Sequence, residues 1–291
     1  IFFLGAHLSS DNAEEWITLG AHFEKIGDTK QAITCYSKAL KHDVSRIDIH
    51  DRRLRLCNEI DLKNRGFILV GYQRYLKNIN SNSDPFTVLE ISTRAAHLCH
   101  TARNFTQAAT ALDTAFQFAP LHVGPDHVNL YLEVLLELRR YATCVRVLTE
   151  FAHVQMDYVV LRDPASGPPC ETNLQVTGFT LPSDPPRPEI LSKLIITLVH
   201  LKCEPLYQRL LDSLEFDVEL YGDLFLDITE ALIQEKYFSS AVQLLKRLIE
   251  SEKYNQPGVW KQLAECYENM GKISVFEPIL RDSMGSKPAP A

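Results

Sequence analysis

Apolar residues between Trp16 and Val44 recur at the spacing of a helix. Trp16, Leu19 and Phe23 stand three and four apart, so on a helix they form one stripe. Gly27-Asp28 ends that helix, and Ala32, Tyr36 and Ala39 then resume the same spacing. The pattern predicts two helices joined by a tight turn and lying antiparallel. Gly20 and Ala32 are small, which lets the two axes approach closely where they cross. One such pair leaves its outer faces unburied, so it predicts neighbours of the same kind.

Numbered from Ala13, the residues Trp16, Leu19, Gly20, Phe23, Gly27, Ala32, Tyr36 and Ala39 occupy positions 4, 7, 8, 11, 15, 20, 24 and 27 of a 34-residue unit. In this they resemble the tetratricopeptide repeat (TPR). The resemblance implies an all-α fold, a superhelical solenoid of antiparallel helix pairs. At the same period Phe2 and Gly5 fall on positions 24 and 27, so residues 1–10 read as the end of a preceding repeat. A degenerate unit over about 49–82, reached after a small insertion, places Ile68, Tyr72 and Tyr75 in second-helix slots. A third, about 89–122, has Ala96, Cys99, Phe105, Ala108, Leu112, Ala115 and Pro120 in register. A fourth, about 125–158, has Leu132, Leu135, Tyr141, Cys144, Leu148 and Phe151, with Pro125 where a helix start tolerates a missing N–H.

Between 157 and 188 the pattern stops. Seven of the 15 prolines lie there, among them Pro164, Pro168, Pro169, Pro182 and Pro188, and proline excludes a helical pair. Two readings stand: an irregular insertion with Leu174 to Leu181 extended against a groove, or a disordered linker. Helical periodicity then returns. Ile190–Leu201 and Leu206–Leu214 form a short pair broken near Glu204-Pro205. A unit from Gly222 carries Phe225, Ile228, Leu232, Ala241, Leu245 and Leu248, and a last one from Pro257 carries Trp260, Leu263, Ala264, Tyr267 and Gly271. Its second helix, with Phe276, Leu280 and Pro278, is irregular or final. The expected organisation is a first array over 1–156, a Pro-rich insertion over 157–188, a second array over 189–284 and a tail over 285–291.

Composition narrows the function. The 37 acidic against 30 basic residues give a formal charge of −7, so no global field draws the chain to nucleic acid. No run approaches the roughly 18 to 20 apolar residues that span a bilayer; Ile190–Leu201 is short and Lys193 interrupts it. Residues 1–10 lack the basic start and cleavage pattern of a signal peptide. A start without Met predicts an excised piece of something longer. Seven unclustered cysteines predict a reducing compartment.

No chemistry stands out. The sequence holds no Gly-rich phosphate loop, GxSxG elbow or HExxH, and Glu14 and Glu15 are adjacent, hence divergent on a helix. Cys99 holds a packing slot while His97 and His100 share another face, so a metal site there is disfavoured. Arg52, Arg53 and Arg55 lie among Asp48, Asp51, Glu59 and Asp61, which reads as a solvated ionic face rather than a phosphate site. No enzyme, metal or cofactor is expected. Some chaperone-binding TPR domains hold an acidic C-terminus with Lys, Arg and Asn at positions 5, 9 and 13. Those positions here are Ile17, Ala21 and Lys25, then Thr93, His97 and Thr101, so that clamp is missing. What remains is a groove along the first helices, lined by register with Glu14, Ile17, Ala21, Glu24, Arg53, Thr93, His97, His100, Asn129 and Glu133. Such a mildly acidic lining suits a helix or extended peptide with basic and apolar side chains.

Three stretches carry a more specific resemblance: WITLGAHFEKIGDTKQAITCYSKALKHD, LVHLKCEPLYQRLLDSL and the block from Tyr221 to Gly271. They resemble the TPR subunit of the RNA polymerase III transcription factor TFIIIC, in the same order: a first array, a variable break, a second array. The resemblance extends from about Glu15 to Gly271. It implies a nuclear assembly scaffold without catalytic activity, held to other TFIIIC subunits and recruiting TFIIIB through its Brf and Bdp components at tRNA and 5S genes. It also implies at most indirect contact with DNA and no membrane association. The other reading is an unrelated TPR adaptor that binds a peptide or helix in RNA processing or protein quality control.

Overall fold

The computed structural model describes residues 12–60, 65–79, 83–160, 174–214 and 217–274. The repeat end expected over 1–10, Pro164, Pro168, Pro169, Phe276, Pro278, Leu280 and the tail 285–291 lie outside the described residues. The chain divides into two compact units, 1–127 and 128–291.

In the first unit, α1 (Ala13–Ile26) and α2 (Thr29–His42) form the expected pair. The Asn12 side chain accepts the Glu14 amide and caps α1. At its other end Gly27 takes φ 85°, with its own amide on the Glu24 carbonyl and that of Asp28 on Phe23. Asp28 then caps α2 by accepting the Gln31 amide. A chain that must stop one helix and start another within two residues needs this left-handed turn. Trp16, Leu19, Gly20, Ala32, Tyr36 and Ala39 are buried between the helices and Phe23 is half-buried against them.

The next pair departs from the expected register. Helix α3 (Ile47–Ile60) starts one 34-residue period after Ala13, not at 49 after an insertion. His50 therefore takes the slot of Trp16, and Arg53 that of Leu19. Both are buried. In α4 (Arg65–Lys77), Ile68 and Tyr72 fill the second-helix slots as expected from 49, and both are buried. The two extra residues thus fall between the helices of this pair and not before it. Polar side chains in apolar slots are what hid the true start.

Helices α5 (Pro85–Thr101) and α6 (Phe105–Phe118) come next, and a 3₁₀ turn over Pro120–His122 leads to α7 (Pro125–Glu137). Helix α5 begins four residues before the expected start at 89. Asp84 caps it, accepting the Thr87 amide at 2.8 Å, and Pro85 opens it. Cys57, Ile68, Tyr72, Ile91, Ala95 and Ala111 form one core of this unit.

In the second unit, α7 and α8 (Tyr141–Phe151) make up the fourth pair. Although expected inside a first array running to 156, this pair belongs mostly with the later helices: α8 packs on α9 (Pro188–His200) and on the strand after it. The stretch Leu174 to Leu181, expected to be extended, is a strand over Leu174–Thr180, and it pairs with a second strand that the sequence did not suggest. β1 (Gln155–Val160) and β2 (Leu174–Thr180) pair antiparallel, with an irregularity between Asp157 and Tyr158. Met156, Leu174 and Val176 are buried, and the Cys203 thiol donates to the Val176 carbonyl at 3.5 Å. Alternating exposure along β2 marks a sheet with one covered face.

Helix α9 is buried from Ile190 to Val199. A helix buried on nearly all sides is a core element, and it packs on α8, α10 (Glu204–Asp212) and α11 (Val218–Gln234). Helix α12 (Phe238–Ile249) joins α11 to α13 (Pro257–Asn269). Trp260 and Ala264, expected in the core, are only half-buried. Among the described elements α13 packs on α12.

Among the described residues, the turn between paired helices holds a residue of positive φ. It is Gly27 and Gly271 at the ends, but Arg103, Arg139, Lys202 and Lys236 in between, at φ 54° to 67°. Each of those four ends a first helix, where a cation also meets the negative end of the helix dipole.

Candidate functional site

The expected groove residues of the first unit are largely engaged in holding helices together. Glu24 accepts the Tyr36 hydroxyl at 2.7 Å and is ion-paired with Arg55 of α3. Burial, then Glu24, pushes the Tyr36 phenol up. Glu14 pairs with Arg46, which also holds Asp48 at 3.0 Å and keeps that carboxyl below its usual range. Ile17 packs against the core, and Ala21 is half-buried.

Arg53 is the correction in this set. It is 5% exposed and therefore no groove lining; its guanidinium donates to Ser37 Oγ at 3.3 Å. Desolvation lowers its pKa. Beside it His50 packs on Tyr72 with ring centroids 4.6 Å apart and the planes tilted by 42°, and it donates from Nε2 to the Val44 carbonyl at 3.0 Å. Burial holds His50 neutral, its pKa pushed down to about 4, and pushes Tyr72 up to about 12. This is a buried polar cluster, with Ser92 of α5 also fully buried.

On α5, Thr93 is half-buried with its hydroxyl on the Leu89 carbonyl, and His97 is exposed. His100 meets the Phe105 ring edge-on at 5.5 Å. Cys99 is buried as a packing residue. Burial pushes up the thiols of Cys35, Cys57, Cys99 and Cys203, and that of Cys266 to about 11. Unreactive thiols of this kind fill space. Among the described residues no group of His, Cys, Asp and Glu is arranged to hold a metal, and no helix is long and apolar enough to cross a membrane.

The second unit holds an open cleft of about 340 Å³ along its first helices. Glu133, Leu136 and Glu137 of α7 form one wall, and Asp227, Glu230, Ala231 and Gln234 of α11 the other. Lys193, Ile196 and His200 of α9 lie between, with Arg139 and Tyr141 at one end. Tyr141 stacks on the His200 ring at 4.9 Å, and His200 Nδ1 donates to Glu235 Oε1 at 3.0 Å. That fixes the imidazole plane in the wall. Lys193 is 9% exposed, with its ammonium 3.8 Å from Asp227 Oδ2. The Asp227 carboxyl is held above its usual range, chiefly by partial desolvation at the cleft wall, with Lys193 opposing the shift and Glu133, Glu230 and Asp223 adding to it. No residue of the β hairpin lines this cleft among the described residues.

Of the expected groove residues, Glu133 is in this cleft. Asn129, one turn earlier on α7, is half-buried and does not line it. Lys193, His200, Asp227 and Glu230 were not foreseen. The signal for Lys193 was available: a single lysine in the apolar run Ile190–Leu201 has no place in a packed helix unless a polar space faces it. A smaller groove in the first unit, about 330 Å³, is lined by Leu69, Gln73, Leu76, Ala95, Cys99 and Gln107.

No protein-family model matches the chain. General transcription factor 3C polypeptide 3 of Homo sapiens is 30% identical to it over 271 residues, which are 92% of this chain. The match spans only 30% of that relative's length. Among solved structures, a tetratricopeptide repeat protein from Parabacteroides merdae superposes with a TM-score of 0.50 at 9% identity, covering 95% of this chain and 94% of that one. At that identity the likeness shows the fold alone, and the fold is the one expected: an all-α TPR solenoid of antiparallel helix pairs.

Proposed function

We propose that the chain is part of a TFIIIC scaffold that binds proteins and catalyses nothing. The observation that carries this is the relative named as a subunit of general transcription factor 3C, similar along almost the whole of this chain. The structure is compatible with that reading for a physical reason. Its conspicuous polar residues are spent on helix packing, as Glu24 and Arg53 are, or line a cleft open to a guest. Fold alone would not select a partner.

Within that role the array recruits TFIIIB through its Brf and Bdp components at tRNA and 5S genes, and it is held to other TFIIIC subunits in the nucleus. Weak contacts along stacked helix pairs add through multivalency. With a formal charge of −7 the chain leaves DNA reading to its partners. Purified chain is tested by pull-down against recombinant Brf, Bdp and the remaining TFIIIC subunits. Retention of Brf or Bdp at micromolar concentration supports recruitment. Retention of TFIIIC subunits alone restricts the chain to assembly, and retention of neither overturns the reading.

A further inference from the structure

Lys193 lies in a position that helix packing does not explain. Its stem is buried on α9 while its ammonium, ion-paired with Asp227, faces the open cleft and makes no hydrogen bond among the described residues. Asp227 Oδ2, at 3.8 Å, is beyond hydrogen-bond reach. An ammonium that faces an open cleft without a hydrogen bond has donors available to a guest carbonyl. The surrounding walls carry the opposite sign: Glu133, Glu137, Asp227 and Glu230 outnumber Lys193 and Arg139. Those carboxylates repel a phosphate or an acidic tail, and they do not converge as a metal site does.

We infer that this cleft seats an arginine or lysine side chain of a partner peptide between Asp227 and Glu230, while Lys193 donates to a backbone carbonyl of the same peptide. A volume of about 340 Å³ is at the small end for a binding site, which fits one or two side chains rather than a whole helix. Charge complementarity selects the cation: the guest relieves repulsion among carboxylates already crowded at Asp227. The inference deepens the scaffold reading by giving one face a ligand chemistry, and it rests on that reading only for which protein supplies the peptide.

The test is fluorescence anisotropy of the whole chain with short acetylated, amidated peptides alternating leucine with arginine, lysine or glutamate. Arginine and lysine peptides are expected to bind at least about tenfold more tightly than the glutamate peptide, and less tightly as salt is raised. The double variant Asp227→Lys, Glu230→Lys changes exposed positions only and is expected to lose about tenfold. The charge-matched control Glu250→Lys, Glu252→Lys, also exposed, is expected to lose less than about threefold. Lys193→Met is expected to weaken both basic peptides despite removing a like charge, and unchanged or tighter binding would overturn the carbonyl contact. Equal losses in cleft and control variants, equal binding of the glutamate peptide, or no binding of any peptide would overturn the cleft assignment. A chain that binds the arginine peptide but neither Brf nor Bdp keeps the cleft and loses TFIIIB recruitment. The reverse result removes the cleft and leaves recruitment standing.

Discussion

The Tyr36 ring occupies the place where residue 20 would carry a side chain. A Cβ built on Gly20 stands 2.5 Å from Tyr36 Cε1 and 2.7 Å from Cδ1. The same ring is fully buried, with its hydroxyl on Glu24. Both helices of the first pair therefore approach over a glycine and hold the approach with one hydrogen bond.

Gly20→Ala is expected to destabilise the first unit by about 1–3 kcal/mol, because the ring cannot move without breaking its bond to Glu24. Gly258→Ala, with open space around its Cβ, serves as the control and should be neutral or slightly stabilising. Urea unfolding of both variants checks this. Equal midpoints would mean the ring has room to move.

Trp16→Ala should cost about 3–5 kcal/mol, since the indole is buried against Leu19, Cys35 and Ala39. Ala32→Glu places a carboxylate at a site with no exposure and should unfold the pair locally. Hydrogen exchange over α1 and α2 reads both, and native protection in either variant would contradict the packing.

The four basic residues at positive φ predict an asymmetry between turns. Arg139→Gly and Lys236→Gly relieve the left-handed backbone and should stabilise by about 0.5–1 kcal/mol each. Gly27→Ala, at φ 85°, should destabilise by about 1 kcal/mol. Thermal melts decide it, and a melting point lowered by both Gly substitutions would assign those side chains a role beyond the turn.

His50 predicts acid sensitivity. Its folded pKa of about 4 lies below the ordinary value of 6.5, so the unfolded chain binds the proton more readily. The stability this contributes is present above about pH 6.5 and is lost as pH falls towards 4, by up to roughly 3 kcal/mol. Unfolding free energies at pH 7 and pH 5 should therefore differ more in the parent chain than in His50→Leu. Parallel pH profiles for the two would place the sensitivity elsewhere.

The cleft and the buried cluster differ in how far sequence could reach them. Helix pairs, turns and the packing role of Cys99 were legible, because a helix repeats every few residues and its breakers act locally. Glu133 was legible by counting along one helix. Arg53 was misplaced because the count assumed apolar residues in apolar slots, and His50 and Arg53 break that assumption as a buried pair.

By itself, the sequence determined an all-α chain of helix pairs at a 34-residue period, since short-range spacing of apolar residues encodes each helix and each turn. The tertiary structure decided the rest. It showed that 155–160 and 174–180 pair as strands, because strand pairing is a relation between segments and not a property of either. It also brought Glu133, Lys193 and Asp227 to one cleft. These residues stand on three helices far apart in the chain, and only the tertiary arrangement of α7, α9 and α11 gives their charges a common space.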